Sequence, residues 1–194
     1  QALEAESLVI GATPRGRVRL GPAFLRLAPA AELGIAALLR APMRALSETI
    51  GEEVHLSALA RDHAVFLAMT RGTQRVCKLA DVAVQLPLHN TANGKAMLAL
   101  LPDKEIEQRI GRRYECSTRR TLPTFDALLK DIDAVRRTGV ATCQEELADG
   151  ICALGVAFRD PYSGNILSLS VPMAAERFAT LQSPLAERLL QIKH

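Results

Sequence analysis

The sequence has no tryptophan, few other aromatic residues and no long apolar run. Its longest stretch without a charged residue, Pro161 to Ala175, is interrupted by three serines and an asparagine. It therefore falls short of the roughly 20 apolar residues that a membrane-spanning helix needs, and no membrane partner is expected. With 48% hydrophobic and 23% charged residues over 194 positions, the chain is predicted to form one folded domain, or one domain with an appendage, rather than two full domains.

A strong excess of one charge is also lacking, because 24 basic residues face 21 acidic ones and the net charge is only +3. That value is too small to predict nucleic-acid binding by the whole chain. One short stretch is locally basic, since Arg15, Arg17 and Arg19 alternate within it. The chain begins with Gln1 and carries two early glutamates, which is not typical of a signal peptide, and we expect it to be truncated.

Cysteine is scarce as well: the four cysteines are widely spaced and form no CxxC pair. This excludes a disulfide-stabilised secreted domain and favours reduced thiols in the cytoplasm. The four histidines show no metal-like spacing with the cysteines. The GKA segment at Gly94–Ala96 lacks the earlier glycine and the following Ser or Thr of a phosphate-binding loop. We expect no metal and no cofactor.

The hydrophobic pattern predicts an α+β fold with about six antiparallel strands. A helix and a basic hairpin open the chain, a helical connector follows from Pro22 to Leu39, and a third short helix from Pro42 is predicted to stop at Gly51. The remaining elements alternate in groups of strands and helices. The predicted strands are Glu53–Ala60, Ala64–Thr70, Gln74–Leu79, Val140–Gln144, Ile151–Phe158 and Asn165–Val171, and the later helices are an apolar helix after Thr91, Asp103–Arg112, Phe125–Thr138 and about Ala174–Ile192.

Two local features indicate a ligand site. A helix starts after HNTANG, where unpaired backbone N–H groups and a partial positive charge favour a carboxylate, and Asn93 and Gly94 stand at that start. Ser168 and Ser170 lie two apart on a late strand and so share one face of it. A capped core helix would explain the first feature equally simply, and backbone or water partners would explain the second.

Three segments, taken in this order, resemble the IclR-type transcriptional regulators. The first, QALEAESLVIGATPRGRVRLGPAFLRLA, is similar to the end of a recognition helix, a wing and the start of a linker helix. The second, LPLHNTANGKAMLALLP, resembles the central motif of the effector domain. EELADGICALGVAFRD followed by GNILSLSVPMAAERF resembles the closing strands, although Leu154–Phe158 lacks the proline that is common in the family there.

The resemblance implies a winged-helix remnant over residues 1–21, a linker-helix region over 22–41 and a GAF- or profilin-like effector-binding domain over 42–194. It implies a homodimer or homotetramer, with operator DNA as a partner of the full-length protein and the three arginines as wing residues. The implied effector pocket takes Ala92, Asn93 and Gly94 from the loop, Cys143 and Ala153 from inner strands, and Ser168 and Ser170 from the last strand. Cys152 and Glu145 are held in reserve.

The expected function is therefore that of a ligand-sensing transcriptional regulator and not of an enzyme. The pocket candidates include no arginine. The partial positive charge at the helix start would therefore have to balance the negative charge of a small organic acid. Two alternatives stay open. One is a stand-alone oligomerisation module, and the other is an enzyme that uses Cys143 or Cys152 as nucleophile, for which the sequence shows no neighbouring base.

Overall fold

A computed structural model describes residues 2–7, 9–10, 19–20, 23, 35–73, 85–161 and 163–193. The chain forms two compact units, Gln1–Leu39 and Arg40–His194. In the first unit a short helix (α1, Ala2–Ala5) precedes an antiparallel pair of two-residue strands, β1 (Val9–Ile10) and β2 (Arg19–Leu20). The predicted helix and hairpin are confirmed. Arg19 lies on β2, whereas Arg15 and Arg17 lie outside the described residues.

The second unit contains a six-stranded antiparallel sheet with the strand order β5-β4-β3-β8-β7-β6. The α+β class and the antiparallel sheet predicted from the sequence are confirmed. The strands are β3 (His55–Leu59), β4 (His63–Met69), β5 (Gln85–Pro87), β6 (Ala141–Gln144), β7 (Ile151–Arg159) and β8 (Ile166–Ala174). The helices after β5 are α3 (Ala92–Leu98), α4 (Asp103–Ile110), α5 (Phe125–Thr138) and α6 (Ala175–Lys193).

One helix boundary and one strand differ from the prediction. Helix α2 runs without a break from Ile35 to Ile50 and contains Pro42, so a separate helix starting at Pro42 is wrong. Its buried positions Leu39, Met43 and Leu46 recur at helical spacing. Burial of this face stabilises the helix enough to outweigh the backbone hydrogen bond that Pro42 cannot donate. The predicted strand Gln74–Leu79 lies outside the described residues, and β5 takes the sheet edge next to β4.

The core of the second unit lies between the sheet and helices α3 to α5. Helix α5 packs Leu128, Ile132 and Val135 into it, and all seven residues of α3 are buried. Helix α6 packs along β7 and β8 and buries Phe178, Leu185 and Leu189. No helix among the described residues is long and apolar enough to span a membrane.

Candidate functional site

A cavity lies between the sheet and the beginning of α3. Its volume is about 60 Å³, several times the roughly 10–15 Å³ that the centre of one water molecule needs. The lining is mostly apolar. It consists of His55, Phe66, Leu86, Thr91, Ala92, Asn93, Cys143, Leu147, Ile151, Ala153, Ser170 and Pro172.

Two glycines let α3 approach the sheet closely enough to form one wall of this cavity. A Cβ on Gly155 would come within 2.8 Å of the Ala92 carbonyl oxygen, and one on Gly94 would come within 2.4 Å of the Leu88 carbonyl oxygen. Both distances are shorter than a carbon–oxygen contact allows, so only glycine fits at either position. The bare backbone at these points therefore sets the position of the helix start.

Side-chain hydrogen bonds fix the helix start itself. The Thr91 hydroxyl accepts from the Gly94 N–H at 3.2 Å and donates to the Pro87 carbonyl at 2.6 Å. The Asn93 amide donates to the Ser57 hydroxyl on β3 at 3.1 Å. Thr91 thus lines the cavity with its donor already used, and Asn93 ties α3 to the middle of the sheet.

His55 and Ser170 place polar groups among the apolar lining. His55 Nε2 lies 3.3 Å from Glu53 Oε2, and the imidazole packs edge-on against Phe66 with the ring centroids 4.9 Å apart. Burial lowers the pKa of His55 below its usual value, and the Glu53 carboxylate only partly opposes this, so the ring is neutral at pH 7. Ser170, which is only 4% exposed, is the register partner of His55 on β8 and lines the same cavity.

The thiols near the cavity are protonated. Cys143 donates to the Asn90 carbonyl at 3.2 Å, and burial together with the nearby Glu146 carboxylate raises the pKa of this thiol to about 11. Burial also raises the pKa of Cys152. Since Cys143 pairs with Ala153, the side chain of Cys152 emerges on the opposite face of the sheet. Neither sulfur offers the thiolate that a cysteine nucleophile requires.

The buried cation of α3, Lys95, is already paired. Lys95, which is 1% exposed, lies 2.7 Å from Glu146 Oε1 and 2.9 Å from Asp131 Oδ2. Burial opposes the charge of Lys95, but the two carboxylates outweigh it and raise the pKa of the ammonium group. Among the described lining residues there is therefore no cation to balance a charged ligand.

Comparison with known proteins places this architecture in one family. The model of the bacterial transcriptional regulator IclR C-terminal family matches residues 28–192. The chain belongs to the IclR family. It is 35% identical to the HTH-type transcriptional regulator Rv1719 of Mycobacterium tuberculosis over 97% of this chain and 73% of that protein. It is 33% identical to TtgV of Pseudomonas putida over 99% of this chain and 73% of the relative.

A solved structure supports the same conclusion. A Silicibacter protein described as an IclR transcriptional regulator superposes with a TM-score of 0.86 at 25% identity, covering 99% of this chain and 77% of that one. The resemblance found in the sequence is therefore confirmed, and the chain is a bacterial transcriptional regulator of the IclR family. The relatives are regulators, which makes an enzyme the weaker alternative.

The residues that the IclR resemblance implied fall into two groups in the structure. Five line the cavity together: Ala92, Asn93, Cys143, Ala153 and Ser170. Gly94 faces Leu88 instead, and Ser168 is fully buried beside its register partner Ser57, where its hydroxyl has no partner among the described residues. The reserve residues Cys152 and Glu145 do not line the cavity; the Glu145 carboxylate accepts from the Gly150 N–H at 2.9 Å.

Sequence reasoning missed His55 and Phe66, the two aromatic rings of the cavity. Both lie on strands that were predicted. Phe66 alternates with the more exposed Val65 and Leu67, which was a usable signal, whereas His55 begins a run of three buried residues that shows no alternation. What the pattern lacked was the register that brings β3 next to β8. Over the described residues, no group of three or more His, Cys, Asp or Glu side chains could hold a metal ion.

Proposed function

We propose that this IclR-family chain senses a small-molecule effector in the cavity between α3 and the sheet, and that effector binding controls operator binding by a dimer or tetramer of the full-length protein. One observation carries the proposal: the cavity is lined by mostly apolar residues, and the buried Ser170 of β8 brings a hydroxyl to that lining. A buried polar group of this kind is ordinarily satisfied by another group, and a ligand in the cavity would supply one.

The character of the lining favours an uncharged or weakly polar effector over the small carboxylate expected from the sequence. A carboxylate in this cavity would lose its hydration without gaining a cation, because Lys95 is held by Glu146 and Asp131. The helix start offers less than the sequence indicated, since Thr91 already accepts from the Gly94 N–H. A carboxylate remains the second candidate, supported by the N–H groups at the start of α3.

The route from the cavity to the DNA-binding part begins at β3. The Ser47 hydroxyl of α2 donates to the Glu52 carbonyl at 2.7 Å, and the Arg177 guanidinium of α6 pairs with the Glu52 carboxylate and donates to the Ile50 carbonyl. The end of α2 at Ile50, five residues before His55, is thereby fixed. An effector that prefers one arrangement of β3 would bias α2, and its differential affinity would set how far the population shifts.

Thermal unfolding against a panel of alcohols, phenols and small acids tests the proposal, because a ligand that binds only the folded state raises Tm with concentration. We expect a saturable shift that Ser170→Ala weakens while the fold is kept. Ser183→Ala, at an exposed position on α6, is the matched control and should leave the shift unchanged. An oligomerisation module would instead assemble with no ligand-dependent shift, and an enzyme would consume the ligand.

A further inference from the structure

His55 and Ser170 are direct neighbours on one face of the sheet. They are register partners in the antiparallel pair of β3 and β8, and side chains at such positions have their Cβ atoms about 4.5–5.5 Å apart. Both residues line the cavity and each is only 4% exposed. Whatever occupies this end of the cavity meets both groups at once.

The contact with Glu53 decides which hydrogen bond His55 can make. A carboxylate has acceptors only, so the imidazole nitrogen beside it, Nε2, must carry the proton. In a neutral ring the other nitrogen, Nδ1, then holds a lone pair and can only accept. Glu53 thus acts as a positioning residue that turns His55 into a hydrogen-bond acceptor.

Ser170 supplies the hydrogen-bond donor. Ser170 lines the cavity, and its hydroxyl can donate a hydrogen bond. His55 and Ser170, as register partners that both line the cavity, therefore bring an acceptor and a donor to the same part of its wall. The group that satisfies both is a hydroxyl, since it donates its proton to one partner and accepts from the other.

The rest of the cavity is suited to an apolar body. Phe66 and Leu86 lie on one side, and Leu147, Ile151 and Pro172 complete the apolar lining. A carboxylate could accept from Ser170 but could not donate to His55. We propose that His55 and Ser170 together recognise the hydroxyl group of an uncharged, mainly apolar effector, an alcohol or a phenol. This inference rests on the proposed function.

Matched probes test the hydroxyl directly. Phenol and cyclohexanol are compared with their methyl ethers, anisole and methoxycyclohexane, and with benzoate, by titration calorimetry and by the shift in Tm. Each ether keeps the apolar body and an acceptor oxygen but cannot donate. At least one alcohol should bind about tenfold or more tightly than its ether, the factor that corresponds to loss of one hydrogen bond of about 1.4 kcal/mol. Benzoate should bind more weakly than phenol.

Two variants assign the effect to the residues. In His55→Phe, which keeps an aromatic ring beside Phe66, and in Ser170→Ala, the preference for alcohol over ether should fall to about one. Ser183→Ala should keep it. Equal binding of an alcohol and its ether by the wild type, or an unchanged preference in both variants, would contradict hydroxyl recognition.

Side-chain ¹⁵N NMR of the wild-type protein tests the tautomer without any variant. His55 should show a protonated Nε2 and an unprotonated Nδ1, and the Nδ1 signal should shift when phenol is added. Glu53→Ala should release the ring, so that the Nε2-protonated form is no longer the only one. A proton on Nδ1 in the wild type overturns the inference. If benzoate or other acids raise Tm but neither alcohol does, hydroxyl recognition is overturned and effector sensing still stands. If no compound in the panel raises Tm, the result counts against both hydroxyl recognition and effector sensing.

Discussion

Gly155 on β7 lies directly beneath the backbone of Ala92, so closely that a Cβ at position 155 would come within 2.8 Å of the Ala92 carbonyl oxygen and 2.9 Å of its carbonyl carbon. This contact joins the middle of the sheet to the first residue of α3. It sets the height of the helix start above the sheet, and with it the depth of the cavity that Ala92 and Asn93 line.

Gly155→Ala should therefore destabilise the chain and disturb the cavity. The methyl group meets backbone rather than a flexible side-chain end, so we expect a loss of about 2–3 kcal/mol in the free energy of unfolding, measured by urea denaturation. Gly164→Ala is the control, because a Cβ there meets nothing within 4 Å and only the left-handed backbone is strained, at a cost of about 1–2 kcal/mol. A Gly155→Ala protein of wild-type stability that still binds phenol would show that α3 is free to move.

Lys95→Met should be more damaging than its position on a short helix suggests. The substitution removes the ammonium group that lies 2.7 Å from Glu146 and leaves a carboxylate in a buried site. Breaking a buried pair from one side costs about 3–5 kcal/mol, and we expect a loss near the lower end in urea denaturation.

The double variant Lys95→Met/Glu146→Gln separates charge from packing. It removes both members of the pair and should recover much of the lost stability. Asp131→Asn should cost about 1 kcal/mol or less, because the Asp131 side chain is 31% exposed and Glu146 still balances Lys95. Equal losses in Lys95→Met and the double variant would mean that the unpaired Glu146 carboxylate is not the cause of the lost stability.

Acidification should weaken the fold through His55. Burial holds the pKa of His55 below 6.5 in the folded state, while the unfolded chain titrates near the ordinary value. The unfolded state therefore binds more protons below about pH 6.5, and the free energy of unfolding falls as the pH is lowered through that value. The contribution of His55 to stability is fully present above about pH 6.5.

The measurement is a pair of urea curves, at pH 7.5 and pH 5.5, for the wild type and His55→Phe. The wild type should lose more stability than the variant between these values. Burial raises the pKa of Glu52 despite its pairing with Arg177, and protonation of Glu52 acts in the opposite direction in both proteins, so the difference between them isolates His55. An NMR titration that places the pKa of His55 at or above 6.5 would contradict this account.

Helices and strands whose signals lie within one short segment could be predicted from the sequence. Helix α5 was predicted with its observed bounds, since Leu128, Ile132 and Val135 keep a helical spacing between the Thr124 cap and Gly139. The prediction that a separate helix starts at Pro42 was wrong, because burial of Leu39 and Met43 outweighs the cost of a proline inside α2.

The residues of the candidate site also divide into those that a local pattern predicts and those that depend on distant strand pairing. Asn93 and Ser170 could be found because a helix-start motif and an alternating strand mark them. His55 could not, because it joins the cavity only through the pairing of β3 with β8, more than a hundred residues later in the chain. Register between distant strands depends on which faces are buried together, and no short segment of sequence carries that information.

Alkylation should distinguish the buried thiol in the cavity from the exposed one. With its pKa raised to about 11, Cys143 would be only about 0.1% thiolate at pH 8, and only the thiolate reacts. Cys116 is exposed. With iodoacetamide at pH 8, peptide mapping by mass spectrometry should therefore find Cys116 modified at least 100-fold faster than Cys143, and the difference should vanish in 6 M guanidinium chloride. Rapid modification of Cys143 in the folded protein would instead support the alternative of an activated cysteine, because a thiol in this position can react quickly only if a nearby group stabilises its thiolate.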